Sequence, residues 1–399
     1  MSSKFSKPNL HTTEIGISLR NKVRRMPVDK RSKVCVFSGL LLTALFYVVY
    51  SLHINNFRGV DKGIASKTTL DNQLPTKIER SCPITKPKKT KEGALSYRIG
   101  IISDLDENSK HPSELSTWVS YFKRGKLILN GASNPANNKV SVEWEDENVV
   151  LTSHLAQGGR GMELSELCCF DGRIFSMDDR TGVVYQIFDR HVSPWVIMSD
   201  GDGRETKGFK GEWATVKDGQ LYIGGLGKEW TTKTGEILNF NPQYVKIIGP
   251  SGAMTHVSWV DNYTKLLKAA GIKPPGYLIH ESAMWSRVNK KWFFLPRRAS
   301  KLKYDDKEDE RRGTNMILSC TADFGDCERT FVGPLNVTHG FSSFKFIPGT
   351  NEQQMVALKT QEVDGKIATY IMAFDLHGRI LMTEKKIPGS YKFEGIEFL

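Results

Sequence analysis

The chain has 399 residues, of which 39% are hydrophobic and 10% aromatic, a composition typical of a globular protein and unlike that of disordered or fibrous chains. The formal net charge is +12, and nine lysines and arginines lie within the first 33 residues, directly before an apolar run. Because basic residues in tails are usually solvated or set membrane topology, this charge does not predict a nucleic-acid partner.

The first elements in chain order predict a membrane-anchored protein. Residues 1–33 are predicted to be a cytoplasmic tail, and residues 34–52 form a charge-free apolar run long enough to cross a bilayer as one helix. Basic flanks stay cytoplasmic, so we expect a single-pass type II signal-anchor of the Golgi or endoplasmic reticulum membrane. Residues 53–94 are predicted to be a polar luminal stem, where cleavage could release a secreted form. Asn-x-Thr triplets that begin at Asn262 and Asn336 are predicted glycosylation sites.

Five cysteines follow the apolar run. Cys320 and Cys327 flank a short loop and could pair across a hairpin. Cys168 and Cys169 are adjacent in a predicted strand, so we expect both to be buried apolar residues. Cys82 lies in the predicted stem, where it could link two chains into a homodimer.

Residues 95–399 are predicted to form one all-β domain. Short strands with period-two alternation are punctuated by Gly, Asp and Asn every 8–12 residues or so. The one convincing helix runs from Trp259 to Ala270, with Gly271 past its end and prolines beyond, and is expected to be an insertion between two strands.

A weak internal repeat points to the architecture. A polar residue, an apolar strand and a hairpin-like turn recur five times, and the polar residues are Ser165, Glu212, Glu281, Ser342 and Glu394. Radial repetition of this kind predicts a five-bladed β-propeller whose five polar residues point at one central place. A β-sandwich is the alternative, but it does not explain a repeated polar position.

Oxygen-bearing side chains that converge on one place suit a hard cation such as Ca²⁺, which takes six to eight oxygen ligands. Glu166 lies beside Ser165 and could add charge to this shell. The other interpretation is a solvated Glu at a strand start and a Ser in a tight turn, and the repeat alone does not decide between them.

Further residues around the predicted propeller suit phosphate chemistry. Basic side chains near glycine-rich turns or just after repeat strands are candidates to bind an anionic substrate, and they are Arg160, Arg180, Lys228 and Arg297. Asp104 and Asp179, which lie at or just after strand ends, are candidates to orient or deprotonate water.

Several strings carry a family resemblance. They are Gly159–Ser165, Asp178–Gly182, Gly224–Trp230, Phe294–Ser300, His339–Phe346 and Glu394–Phe398. Together they resemble the calcium-activated nucleotidase, or apyrase, family over roughly residues 95–399.

The resemblance implies a five-bladed propeller with Ca²⁺ in its central tunnel and hydrolysis of the terminal phosphate of nucleoside di- and triphosphates, with UDP and GDP favoured over ADP. It implies that the five repeat positions are calcium ligands and that Asp104 and Asp179 are needed for activity. Arg297 matches a functional arginine of the family. Glu166 departs from the Asp that is usual at its position, which puts only a secondary ligand role in doubt.

Together these observations predict a luminal, Ca²⁺-dependent nucleoside diphosphatase that supports glycosylation and proteoglycan synthesis. Two other classes of protein stay open. A type II Golgi glycosyltransferase shares the membrane topology, and Asp104-Leu105-Asp106 could serve as its metal motif, but that fold needs alternating strands and helices. A non-catalytic glycan-binding propeller would bind Ca²⁺ and release no phosphate.

Overall fold

The structure, a computed structural model, describes residues 82–131 and 138–399. The predicted cytoplasmic tail, the predicted membrane segment and most of the predicted stem lie outside these residues. Among the helices of the described ranges, none is long and apolar enough to cross a membrane.

Five antiparallel sheets form the predicted five-bladed β-propeller. Blade 1 contains β1 (Lys88–Lys89), β2 (Leu95–Asp104), β3 (Trp118–Asn130) and β4 (Lys139–Ser153), and blade 2 contains β5 (Leu164–Phe170), β6 (Arg173–Asp178), β7 (Val183–Ile187) and β8 (Val192–Ile197). Blade 3 contains β9 (Trp213–Lys217), β10 (Gln220–Gly224), β13 (Tyr244–Ile248) and β14 (Met254–Ser258), with a separate hairpin of β11 (Trp230–Thr231) and β12 (Ile237–Asn239) inserted. Blade 4 contains β15 (Tyr277–Ser286), β16 (Lys291–Ser300), β17 (Met316–Thr321) and β18 (Cys327–Phe331). Blade 5 contains β19 (His339–Phe346), β20 (Gln354–Val363), β21 (Lys366–Asp375) and β22 (Ile380–Lys386), and the last strand, β23 (Lys392–Phe398), returns to blade 1.

Helices are few in the described ranges. The predicted helix is confirmed as α1 (Val260–Ala269), which follows blade 3 and packs against blade 4. A single turn, α2 (Asp306–Asp309), follows β16. Short 3₁₀ turns cover Asp106–Ser109 and Asn241–Gln243. This strand-rich pattern does not provide the alternating strands and helices of the glycosyltransferase alternative.

The ring of blades is closed by pairing the last strand with the first long one. Strand β23 lies antiparallel to β2, with Ile99 opposite Phe398 and Asp104 opposite Lys392. Five strands, β5, β9, β15, β19 and β23, are therefore the innermost strands of their blades, and each contacts the next around the axis. Each innermost strand is paired on one side only, and its other edge is short and faces the axis, where the neighbouring inner strands protect it.

Tight hairpins follow the first strands of the blades at the places that the repeat predicts. Asp171 and Gly172 have φ values of 49° and 66°, and Asp218 and Gly219 have φ values of 51° and 73°. Positive φ at both central residues is the requirement of a type I′ turn, which Asp-Gly meets at low cost. These turns fix the register of β5 with β6 and of β9 with β10.

Apolar side chains fill the spaces between neighbouring blades. The largest aromatic group joins blades 3 and 4, where Trp213, Trp259 and Trp292 pack on Phe294 and Phe324. Trp213 and Trp292 are 0% and 2% exposed. Because each buried aromatic side chain removes a large apolar area from water, this cluster is a main source of contact energy between the two blades.

The cysteine expectations are confirmed in part. Cys320 and Cys327 form the predicted disulfide, and Cys168 is a free, buried thiol. The expectations for Cys169 and Cys82 are wrong, because these two residues form a disulfide within the chain. The last part of the segment predicted as stem therefore contacts the propeller, and Thr85 also donates its backbone N–H to the Leu399 carbonyl at 3.1 Å.

Candidate functional site

The five repeat residues lie at one end of the inner strands, which we call the upper mouth of the propeller. Four of them lie within the first half of an inner strand, and Glu212 lies directly before β9. All five are buried: Ser165, Glu212, Glu281, Ser342 and Glu394. The three glutamates line a cavity of about 430 Å³ at this end. The opposite ends of the inner strands surround a second opening, the lower mouth, with a cavity of about 680 Å³.

Breaks in strand pairing set four of the five positions. The register shifts between Leu164 and Leu167, between His280 and Ala283, and between Phe341 and Ser343, so these intervals contain three of the repeat residues. In β23 the pairing with β2 likewise passes over Glu394. A bulge rotates the extra residue out of the regular alternation and re-aims its side chain. The bulges therefore explain how an inner strand that pairs with its neighbour still presents a ligand-type residue.

The two serines offer oxygen atoms that the rest of the protein leaves unused. The hydroxyl oxygens of Ser165 and Ser342 are buried and have no hydrogen-bond partner among the described residues. A buried polar group normally has a partner, because burying it unpaired costs free energy. Two such oxygens among three carboxylates match the oxygen-only ligand set that Ca²⁺ prefers, so the residues present fit this ion.

Cationic side chains face the three glutamates. Lys210 Nζ lies 2.8 Å from Glu212 Oε1, and Arg297 Nη1 contacts both Glu281 and, at 2.8 Å, Glu394. All four carboxylate and guanidinium groups are nearly excluded from water. The upper mouth is thus a dense array of opposite charges, in which electrostatic interactions are stronger than on an exposed surface.

Lys392 is a further centre of this array. Its Nζ lies 2.7 Å from Asp104 Oδ2, 2.6 Å from Asp106 Oδ2 and 3.7 Å from Glu394 Oε1. Glu362 also contacts Lys392, at 3.5 Å, and forms an ion pair with Arg297.

Burial is the largest influence on the pKa of two of the glutamates, Glu212 and Glu394. It raises the pKa of Glu212 to about 8, although Lys210 opposes the shift, and it raises the pKa of Glu394 well above its usual range against the charges of Lys392 and Arg297. Desolvation disfavours the charged form of a carboxylate unless cations compensate it. Additional positive charge at this place would therefore favour the ionised glutamates.

Three carboxylates gather beside this array. Asp104, Glu163 and Asp179 each place one oxygen within 4.8 Å of the others, and all three are buried. Asp104 accepts the Asp106 N–H at 2.8 Å, and Asp179 forms an ion pair with Lys210. Asp179 Oδ1 is buried and lacks a hydrogen-bond donor within the described chain, so it is an acceptor available to water or substrate.

Two of the predicted anion-binding arginines lie at this carboxylate cluster. Arg160 binds Glu163 through Nε at 2.7 Å and Nη2 at 2.6 Å, and Arg180 Nε lies 3.6 Å from Glu163 Oε2. Both guanidinium groups are partly exposed. Lys228 lies apart from them, lining a neighbouring cavity of about 140 Å³, where it donates to the Glu229 carbonyl and to Thr231 Oγ1, both at 2.8 Å.

Glu166 belongs to a different set of contacts. Its Oε1 accepts hydrogen bonds from the Leu167 N–H at 2.8 Å and from Ser343 Oγ at 2.7 Å. Its Oε2 lies 3.1 Å from Lys345 Nζ, and Lys345 lines the lower-mouth cavity. Glu166 therefore joins β5 to β19 below the repeat residues.

The sequence reasoning missed four charged residues of the upper mouth, namely Glu163, Lys210, Glu362 and Lys392. A signal for two of them exists in the sequence. Lys210-Gly211-Glu212 and Lys392-Phe393-Glu394 place a lysine two residues before a repeat glutamate. Side chains two residues apart share a face of a strand, so this spacing predicts ion pairs along the axis. Glu362 carries no comparable signal, because it comes from a second strand of blade 5.

Comparison with known proteins shows to which family the chain belongs. A sequence model of the family described as Apyrase matches residues 105–399. The chain belongs to the apyrase family. It is 51% identical over 365 residues to soluble calcium-activated nucleotidase 1 of Rattus norvegicus, a match that covers 91% of this chain and 89% of the relative. It is 45% identical to apyrase apy-1 of Caenorhabditis elegans over 78% of this chain and 86% of the relative, and 44% identical to an apyrase of Cimex lectularius over 90% and 95%.

Proposed function

We propose that this member of the apyrase family is a Ca²⁺-dependent nucleoside diphosphatase that removes the terminal phosphate of UDP and GDP and, less well, of other nucleoside di- and triphosphates. The observation that carries the proposal is a pair of unpartnered buried hydroxyls, Ser165 and Ser342, at the end of the inner strands where three buried glutamates line an opening. The names of relatives that share most of the chain describe calcium-activated nucleotidases and apyrases.

In this proposal, Ca²⁺ is held by the five repeat residues, and when bound it acts as a Lewis acid on phosphate oxygens. Arg297, Lys210 and Lys392 place positive charge at the cavity wall, where it offsets the charge of the phosphoryl group. The other predicted substrate-binding residues lie outside the set of calcium ligands, where they attract the anionic substrate. They are Arg160, Arg180 and Lys228.

Between the two predicted water-orienting carboxylates we favour Asp179. Both oxygens of Asp104 are engaged, by the Asp106 N–H and by Lys392, whereas Asp179 keeps one buried oxygen without a donor. A general base must be able to accept a hydrogen bond from the attacking water. Asp104 then holds Lys392 in place.

The decisive experiment measures phosphate release from UDP by the purified full-length chain, with Ca²⁺ or with a chelator. Release should require Ca²⁺, and Glu212→Gln should abolish it. Glu352→Gln is the matched control, because Glu352 lies at the lower mouth, where it accepts from Ser286 Oγ at 2.5 Å. Equal release with Ca²⁺ and with chelator would contradict the proposal. Ca²⁺ and glycan binding without phosphate release would favour the non-catalytic propeller.

We also propose that the protein is anchored by residues 34–52 with its propeller in the Golgi or endoplasmic reticulum lumen. There, removal of UDP would relieve product inhibition of glycosyl transfer and so support glycosylation and proteoglycan synthesis. The apolar composition of residues 34–52 and the triplets at Asn262 and Asn336 support this location, and Asn336 is exposed. A mass shift on endoglycosidase treatment that becomes smaller in Asn336→Gln tests it. Homodimer formation stays a prediction, for sedimentation analysis.

A further inference from the structure

Two of the repeat glutamates have a lysine two residues before them. Lys210 and Glu212 lie in the segment directly before β9, and Lys392 and Glu394 lie within β23. The two side chains of each pair are close together, with nitrogen–oxygen distances of 2.8 Å and 3.7 Å. The two lysines therefore occupy equivalent places of the repeat, just outside two predicted calcium ligands.

Each lysine also contacts a carboxylate outside the predicted calcium shell. Lys210 forms an ion pair with Asp179, and Lys392 Nζ lies 2.7 Å from Asp104 Oδ2. These are the two carboxylates predicted to orient water. Each ammonium group thus links one predicted calcium ligand to one group of the predicted reaction centre.

We propose that Lys210 and Lys392 lower the affinity of the upper mouth for Ca²⁺ and present positive charge to the phosphate groups of the substrate. The part that concerns Ca²⁺ stands on the charges alone, whereas the part that concerns phosphate rests on the proposed function. Removing either ammonium group should therefore strengthen Ca²⁺ binding and weaken hydrolysis.

The opposite signs follow from electrostatics. An ammonium group that shares a carboxylate with Ca²⁺ repels the ion at a distance of a few Å, in a cavity where charges are poorly screened. A phosphate group gains from the same ammonium, because charge-assisted hydrogen bonds to anions are among the strong ones. A merely structural salt bridge would have a different signature, since its loss would weaken Ca²⁺ binding and hydrolysis together.

The experiment titrates the chelator-treated full-length chain with CaCl₂ by calorimetry and measures kcat and KM for UDP at saturating Ca²⁺. Lys210→Met and Lys392→Met should each bind Ca²⁺ about tenfold more tightly or better, since a unit charge this close to the ion is worth at least that factor. Their kcat/KM should fall by about 100-fold. Lys392→Arg should keep the wild-type Ca²⁺ affinity.

Lys217→Met is the matched control, because Lys217 lies at the other end of β9 and pairs with exposed Asp218; it should change neither quantity. Lys210 is 28% exposed at its side chain, so its replacement tests the inference even if Lys392→Met fails to fold. Unchanged or weaker Ca²⁺ binding in folded Lys210→Met would overturn the inference. If Lys210→Met binds Ca²⁺ more tightly but the wild-type chain releases no phosphate, the result would instead count against the proposed function.

Discussion

Gly395 lies where two inner strands approach each other most closely, one residue after a predicted calcium ligand. A Cβ atom added at this position would lie 2.5 Å from the Glu166 carbonyl carbon and 2.5 Å from the Leu167 nitrogen. Both are backbone atoms, so no side-chain rotation relieves the overlap, and β23 must move away from β5 by about 1 Å to restore ordinary contacts. Gly395→Ala should therefore behave as an overpacked core position.

The expected cost is about 2 kcal/mol of unfolding free energy, which corresponds to a fall in Tm of roughly 3 °C for a domain of this size. The same displacement moves Glu394 relative to Ser165, and because Ca²⁺–oxygen distances span only about 0.3 Å, the Ca²⁺ midpoint should rise by at least about tenfold. Thermal unfolding and Ca²⁺ titration measure both.

Gly249→Ala is the matched control, since a Cβ there would meet only the Ala253 carbonyl oxygen, at 3.8 Å. This variant should unfold and bind Ca²⁺ as the wild type does. A Gly395→Ala protein that does the same would refute the argument that β5 and β23 are in fixed backbone contact beside the predicted site.

Two further predictions concern stability. Burial alone would raise the pKa of Glu384, but the hydrogen bond with His339 and the charge of Lys359 lower it to about 2. The lowered pKa contributes at most about 3 kcal/mol to the free energy of unfolding. This contribution is present above the unfolded pKa and is lost as pH falls from about 4.5 towards 2, so the urea midpoint of Glu384→Gln should approach that of wild type at low pH. Urea midpoints that differ by the same amount at every pH would contradict this prediction. Cys82→Ser breaks the Cys82–Cys169 disulfide, which closes a loop with a sequence separation of 87 residues, and should lower the free energy of unfolding by about 4–5 kcal/mol. Urea unfolding measures this loss, with reduced wild type as control. An unchanged urea midpoint would show that the disulfide does not stabilise the protein.

The architecture was accessible from the sequence because local chemistry repeats. Hairpin-like turns, alternating apolar residues and a polar residue in or just before each inner strand recur along the chain, and α1 is marked by its glycine and prolines. The bulges were not accessible, because a bulge depends on the register between two strands. The repeat residues could therefore be listed, while the way in which Glu281 or Ser342 leaves the regular alternation could not.

Pairing between distant segments also escaped sequence reasoning. Adjacent cysteines in a strand suggest two buried apolar residues, and nothing local shows that Cys82 reaches Cys169. Glu362 was missed for the same reason, since its partner Arg297 lies in another blade. Lys210 and Lys392, in contrast, were visible as a repeated Lys-x-Glu spacing. Extending the comparison of the repeats to two residues before each glutamate would have found them.

The disulfide at Cys82 has a consequence for how the protein can be handled. Cys82 lines the lower mouth, and the Thr85 N–H reaches the carbonyl of the final residue, Leu399. The described residues that begin at Cys82 and end at Leu399 therefore have both ends on the same side, opposite the array of acidic and basic side chains. Immobilisation on a resin, fusion of a carrier domain or circular permutation through a short Leu399-to-Cys82 linker should all leave the upper mouth open to solution.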